Sequence, residues 1–118
     1  MDGQPLSALL AAIATFAVGA LCPHARSGVG AVATQALINP HYGPRGLTLL
    51  AEGKSADEVV RLLTGDDLGA AIRQVHVVDA TGAVAAHTGE GCIGWCGHRP
   101  GAGFSVAGNM LAGQAVVD

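Results

Sequence analysis

The chain has 118 residues, half of them apolar, only four aromatic, and a formal net charge of −3. That length fits one hydrophobic core and predicts a single domain over 1–118. A mildly acidic chain with few charges lacks the basic field that gathers phosphate backbones, so nucleic acid is not an expected partner. The positive mean hydropathy, +0.43, predicts apolar surface that a second copy would cover, and a homo-oligomer is expected. Cys22, Cys92 and Cys96 are an odd set that makes no disulfide framework, which points to a reducing, cytoplasmic setting.

Leu6 to Leu21 is an apolar run with Asp2 and no Lys or Arg ahead of it, too short to span a bilayer comfortably, so no membrane partner is expected. Gly19-Ala20-Leu21-Cys22 has the outline of a lipoprotein cleavage site but lacks the positive n-region. Within the run, Ala8 to Val18 reads as a strand buried on both faces, with an N-terminal helix left open by periodicity. Gly28 to Ala36 reads as a second strand, closed by the turn at Asn39-Pro40. The segment Cys22 to Ser27 then connects the two.

Gly43-Pro44 opens a helix whose Leu47, Leu49 and Leu50 form a stripe, and Gly53 is its stop. Ser55-Ala56-Asp57-Glu58 is a capping box opening a second helix, with Val59, Leu62 and Leu63 directed inward. Asp66 and Asp67 make a short acidic loop before a turn near Leu68 to Ile72. Gln74 to Val78 and Ala83 to His87 flank Asp79-Ala80-Thr81-Gly82 as a β-hairpin. A loop from Gly89 to Ala102 leads to a last strand from Gly103 to Leu111. This order predicts an α+β fold, a mainly antiparallel sheet with a helical pair on one face.

Several segments in order form a pattern: Phe16-Ala17-Val18-Gly19-Ala20, Gly28 to Gln35, Asn39-Pro40 with Tyr42 to Leu47, Ala86-His87-Thr88-Gly89, Cys92 with Trp95, Gly97-His98, and Gly108-Asn109-Met110-Leu111. In this set the chain resembles the domain-of-unknown-function 1028 family. The resemblance implies an αββα sandwich of the N-terminal-nucleophile (Ntn) hydrolase type, here an incomplete copy. Family members commonly open with Thr-Phe-Ser-Ile-Val-Ala, where this chain has Met1 to Pro5, and they continue past the Gly-Asn-Met-Leu segment. Cys96 and Ala107 stand where the family commonly has Ala and Gln.

That resemblance implies amide-bond hydrolysis by nucleophilic acyl transfer in intact relatives, on a small-molecule or peptide-like substrate and without a cofactor. In such chemistry a terminal Thr, Ser or Cys attacks while its own amine takes the proton. Thr15 and Cys22 are the nucleophiles that a cleavage would expose, with His87 as acid or base and Asn109 as an oxyanion donor. Asn39, Tyr42, Arg45 and Trp95 are the candidate substrate-binding residues, Arg45 as a carboxylate clamp. Each has a plainer role: a turn at Asn39, a surface charge at Arg45, strand-end partners at His87 and Trp95. Cys22 with His24 has the composition of a thiolate–imidazole pair, against a loop cysteine beside a solvated histidine. Two further readings stand beside the enzyme: a non-catalytic binding or oligomer-forming module, and a zinc site at Cys92, Cys96 and His98. The second departs from the usual Cys-x-x-Cys spacing, and no metal is expected.

Overall fold

The computed structural model describes residues 21–118. The strand or helix expected over Ala8 to Val18, and Thr15 within it, lie outside the described residues. The remainder is an α+β fold. Its elements are β1 (Pro23–Arg26), β2 (Gly30–Ala36), α1 (Tyr42–Ala51), α2 (Ala56–Gly65), β3 (Arg73–Asp79), β4 (Val84–Thr88), β5 (Trp95–Gly101) and β6 (Phe104–Leu111). Strands β1 to β4 form one antiparallel sheet in chain order, and β5 pairs with β6 in a two-stranded ribbon.

Alternation along the strands sorts the sheet's two faces. Val32, Val75 and Val77 join Leu47, Leu50, Val59, Val60 and Leu63 in one apolar cluster, so this face is covered by both helices. The expected helical pair on one face is present. The opposite face carries Gln74 and His76, whose side chains reach residues of the ribbon. The described residues thus stack as helices, sheet and ribbon. No second helical layer, which a complete αββα sandwich would have, lies among them.

The helices begin and end as their chemistry requires. Ser55 Oγ accepts from the Glu58 amide at 3.2 Å and the Glu58 carboxylate accepts from the Ser55 amide at 3.0 Å, which satisfies two orphan donors. That bond from the Ser55 amide also holds the Glu58 carboxyl below its usual range. Gly53, with φ 89°, takes the left-handed conformation after α1. Asp79 then ties the hairpin to the helices: one oxygen accepts from Thr81 and Ala83 in the turn, the other from the Ala56 amide at the start of α2.

Three local expectations change. Pro23–Arg26 is a strand and not a connection, because the turn through Gly28 (φ 74°) folds it back onto β2. At the edge of the sheet among the described residues, it accommodates Pro23, which has no N–H for a neighbour to use. Trp95–Gly101 is likewise a strand inside the stretch expected to be loop. Leu62 is 36% exposed, and Val60 takes the inward place on α2 beside Val59 and Leu63.

Candidate functional site

Gln74, the second residue of β3, is fully buried between sheet and ribbon. The two N–H groups on its Nε2 are shared among three acceptors, Thr88 Oγ1 on β4 at 3.0 Å, the Gly97 carbonyl on β5 at 3.0 Å and the Gly108 carbonyl on β6 at 2.9 Å. Its Oε1 accepts from Asn109 Nδ2 at 3.2 Å. One carboxamide therefore ties β3 to a side chain of β4 and to one carbonyl on each ribbon strand.

Beside it lie two hydroxyl–imidazole pairs. Ser105 Oγ is 2.9 Å from His76 Nδ1, and Thr88 Oγ1 is 2.8 Å from His98 Nδ1. The two rings meet edge to face with centroids 6.5 Å apart. Burial, with the neighbouring His98 adding to it, pushes His76 down from its ordinary 6.5 to about 4. Its Nε2 is buried and has no hydrogen-bond partner among the described residues. Burial also lowers His98. The buried His76 ring is neutral near pH 7, and the two pairs form a polar layer between sheet and ribbon.

Where β2 ends and the ribbon begins, the same layer opens into a pocket of about 120 Å³. Leu37, Ile72, Ile93 and Met110 give it aliphatic walls, with Asn109 and Cys92 as its polar side chains. Trp95 faces Leu111 while Gly97 faces Gly108, so β6 carries an extra residue, a bulge at Asn109 and Met110. Bulges re-aim side chains, and this one turns Asn109 and Met110 onto the pocket wall. Ala36 (φ 67°) and Met110 (φ 53°) are the non-glycine residues with left-handed backbone among those described, and both line the pocket. Each costs roughly 1 kcal/mol, and such strain collects at ligand sites.

The other sequence-predicted residues are placed elsewhere. Asn39 and Tyr42 come together on Asp67: Tyr42 donates at 2.7 Å and Asn39 at 3.3 Å, alongside Arg73 Nε at 3.0 Å. The Tyr42 bond, with those from Arg73 and the Gly69 amide, holds the Asp67 carboxyl below its usual range. Burial and that same bond push the Tyr42 hydroxyl up. Arg45 pairs with Asp66 at 2.6 Å, so its guanidinium is already engaged. His87 points to the helical side, its Nε2 2.8 Å from the Ala70 carbonyl. Trp95 starts β5 and lies over Gly97, where a Cβ would collide with its ring.

Cys22 is 1% exposed, and burial raises its thiol pKa. His24 directs Nε2 to the Leu21 carbonyl at 3.1 Å, so the loop cysteine with a solvated histidine is replaced by a buried thiol and a bonded ring. Burial, with Cys96 beside it, also raises Cys92, whose thiol donates to the Arg73 carbonyl at 3.4 Å. His98 is engaged with Thr88, and no group of three His, Cys, Asp or Glu side chains among the described residues is arranged to hold a metal ion. The alternative of a zinc site at Cys92, Cys96 and His98 therefore lacks its geometry among the described residues.

Of the candidate catalytic and substrate-binding residues among those described, Asn109 alone lines the pocket, beside Cys92 from the zinc alternative. Gln74, His76, Ser105 and Thr88 were not singled out by sequence. A polar residue on each side of Val75, in a strand otherwise valine-rich, was the available signal.

A family model matches residues 7–118, nearly the whole sequence. The chain belongs to the DUF1028 family, a family of unknown function. The fold agrees: the crystal structure of protein SPO2555 from Silicibacter pomeroyi, of the same family, superposes with a TM-score of 0.81 at 30% identity. The match covers 85% of this chain and 46% of SPO2555, so this DUF1028 chain spans under half the length of that relative. No curated protein matches the sequence. No helix among the described residues is long and apolar enough to cross a membrane.

Proposed function

We propose that this DUF1028 domain serves an amide-bond hydrolase of the N-terminal-nucleophile type, with the pocket beside Asn109 holding the substrate. The observation that carries the reading is Asn109 itself, which a bulge turns onto the pocket wall while Gln74 fixes its amide from behind. A preorganised carboxamide donor at a pocket is the arrangement that stabilises a developing oxyanion. In the reaction a hydroxyl adds to the substrate's carbonyl carbon and gives up its proton to the acting base. The oxyanion accepts a hydrogen bond from Asn109. The C–N bond then breaks, the amine leaves with that proton, and water cleaves the acyl ester to a carboxylic acid. Thr15 is the nucleophile this reading assigns, acting with its own amine after cleavage ahead of it. Cys22 is the weaker candidate, since burial keeps its thiol protonated.

The purified full chain, incubated with primary amides, is expected to release ammonia, and its intact mass to include a species beginning at Thr15. Thr15→Ala would abolish release, and Asn109→Ala would lower kcat by about 10². A folded chain that releases no ammonia, or keeps full activity in both variants, overturns the proposal.

A second reading, an oligomer-forming module, is favoured by the ribbon's outer face. Phe104 is 56% exposed and Val106 41%, and apolar neighbours of this kind mark association surfaces. A monomeric mass by light scattering across the micromolar range would remove it.

A further inference from the structure

We infer that the pocket at the end of β2 binds a small aliphatic carboxamide, its hydrocarbon part against Leu37, Ile72, Ile93 and Met110 and its amide on Asn109. This names the substrate class for the hydrolase reading and rests on that reading for the fate of the bound amide.

Size is the first argument. A dry cavity of about 150 Å³ holds benzene, so a pocket of about 120 Å³ has room for a body of about four or five carbons. The second argument is which polar groups in the wall are already spent. Cys92 donates to the Arg73 carbonyl, and the Gly91 amide donates to the Ala71 carbonyl at 2.7 Å. Asn109 gives one N–H to Gln74 Oε1, leaving its second N–H and its carbonyl oxygen for a ligand. That donor and acceptor on one planar group match the C=O and N–H of another amide. A carboxylate offers acceptors only and would set negative charge against the Asn109 oxygen, and an alcohol fills one bond of the two.

The third argument is the cost of making the wall. Left-handed backbone at Ala36 and Met110, on two different layers, shapes the two sides of one pocket. Gly94 (φ 69°) permits the close pass, since a Cβ there would stand 3.1 Å from Met110 Cα. Strain at both sides is retained where a ligand uses the shape it creates. Gln74 acts as the positioning residue, because its Oε1 sets the rotation of the Asn109 amide.

The test is a titration of the full chain, labelled with ¹⁵N, by 3-methylbutanamide, with 3-methylbutanoate as the comparison. The expected result is saturable shifts at the amides of Leu37, Ile93 and Met110 with a dissociation constant on the order of 1 mM, and binding of the acid at least tenfold weaker. Ile93→Trp, at an exposed wall position, should fill the pocket and abolish saturation. Leu37→Trp, also exposed, serves the same purpose if the first variant fails to fold. Asn109→Ala should erase the preference for amide over acid. Absence of saturable shifts, equal binding of acid and amide, or binding unaffected by a folded pocket-filling variant each overturns the inference. Specific binding without ammonia release supports the subsite and counts against hydrolysis. Ammonia release unaffected by a pocket-filling variant does the reverse.

Discussion

Lowering the pH from about 7.5 to about 5 should destabilise this domain chiefly through His76. Burial depresses its pKa from the ordinary 6.5 to about 4, with His98 contributing. The folded ring is then neutral over a range where the unfolded ring binds a proton. Stability is therefore full above the unfolded pKa, falls as the pH drops below it, and levels off beneath the folded pKa. A difference of about 2.5 units corresponds to about 3 kcal/mol in total, of which about 2 kcal/mol is lost by about pH 5. With a urea slope of roughly 1.3 kcal/mol/M for a domain of this size, the midpoint should fall by roughly 1.5 M. Urea unfolding at a series of pH values, followed by circular dichroism, measures it. His76→Asn keeps an amide near Ser105 but has no proton to gain, so its stability should vary far less with pH, leaving only the smaller slope from His98, whose lowered pKa acts with the same sign. A wild-type profile flat from about pH 7.5 to about 5, or an unchanged slope in His76→Asn, would refute the reasoning.

Gln74→Leu removes a donor shared by Thr88 and the Gly97 and Gly108 carbonyls and should cost about 2–4 kcal/mol, since buried acceptors lose their partners. Hydrogen exchange should show β5 and β6 opening before β2 and β3. Asp67→Asn weakens the pair with Arg73, both side chains at most 20% exposed, and should cost about 2 kcal/mol after allowance for partial solvation. The Asp67 carboxyl is held down by Tyr42 and Arg73, so its contribution is present above the unfolded carboxylate pKa and is lost as pH falls through the folded one. The difference between wild type and Asp67→Asn should accordingly shrink in acid when melting is compared at neutral pH and at about pH 3.

What could be read in advance followed from local chemistry. The capping box at Ser55 needs only residues three apart, and the β3–β4 hairpin announces itself through valines on either side of Asp79-Ala80-Thr81-Gly82. The strand Pro23–Arg26 and the ribbon strand Trp95–Gly101 did not, because Pro, His and Arg stand in both. Their extended form is imposed by a neighbouring strand and not by their own propensity. Asn39, Tyr42 and Arg45 were legible as a cluster near a helix start, but Asp66 and Asp67, which they bind, lie over 20 residues further on. Polar residues in company suggest a cleft equally well whether they face a ligand or each other.

Gln74 shows why the pocket was the harder part to anticipate. In the sequence it is one polar residue at the head of a valine-rich strand. In the fold, the same carboxamide that satisfies two ribbon carbonyls also accepts from Asn109. Anchoring the ribbon and orienting the pocket amide therefore draw on the nitrogen and the oxygen of one carboxamide. A substitution there changes stability and ligand geometry together, whereas Asn109→Ala removes the pocket amide and leaves both ribbon carbonyls bonded. The separation between those two variants, large in unfolding free energy and small in ligand preference, distinguishes a polar layer built to hold sheets together from one that also presents a site.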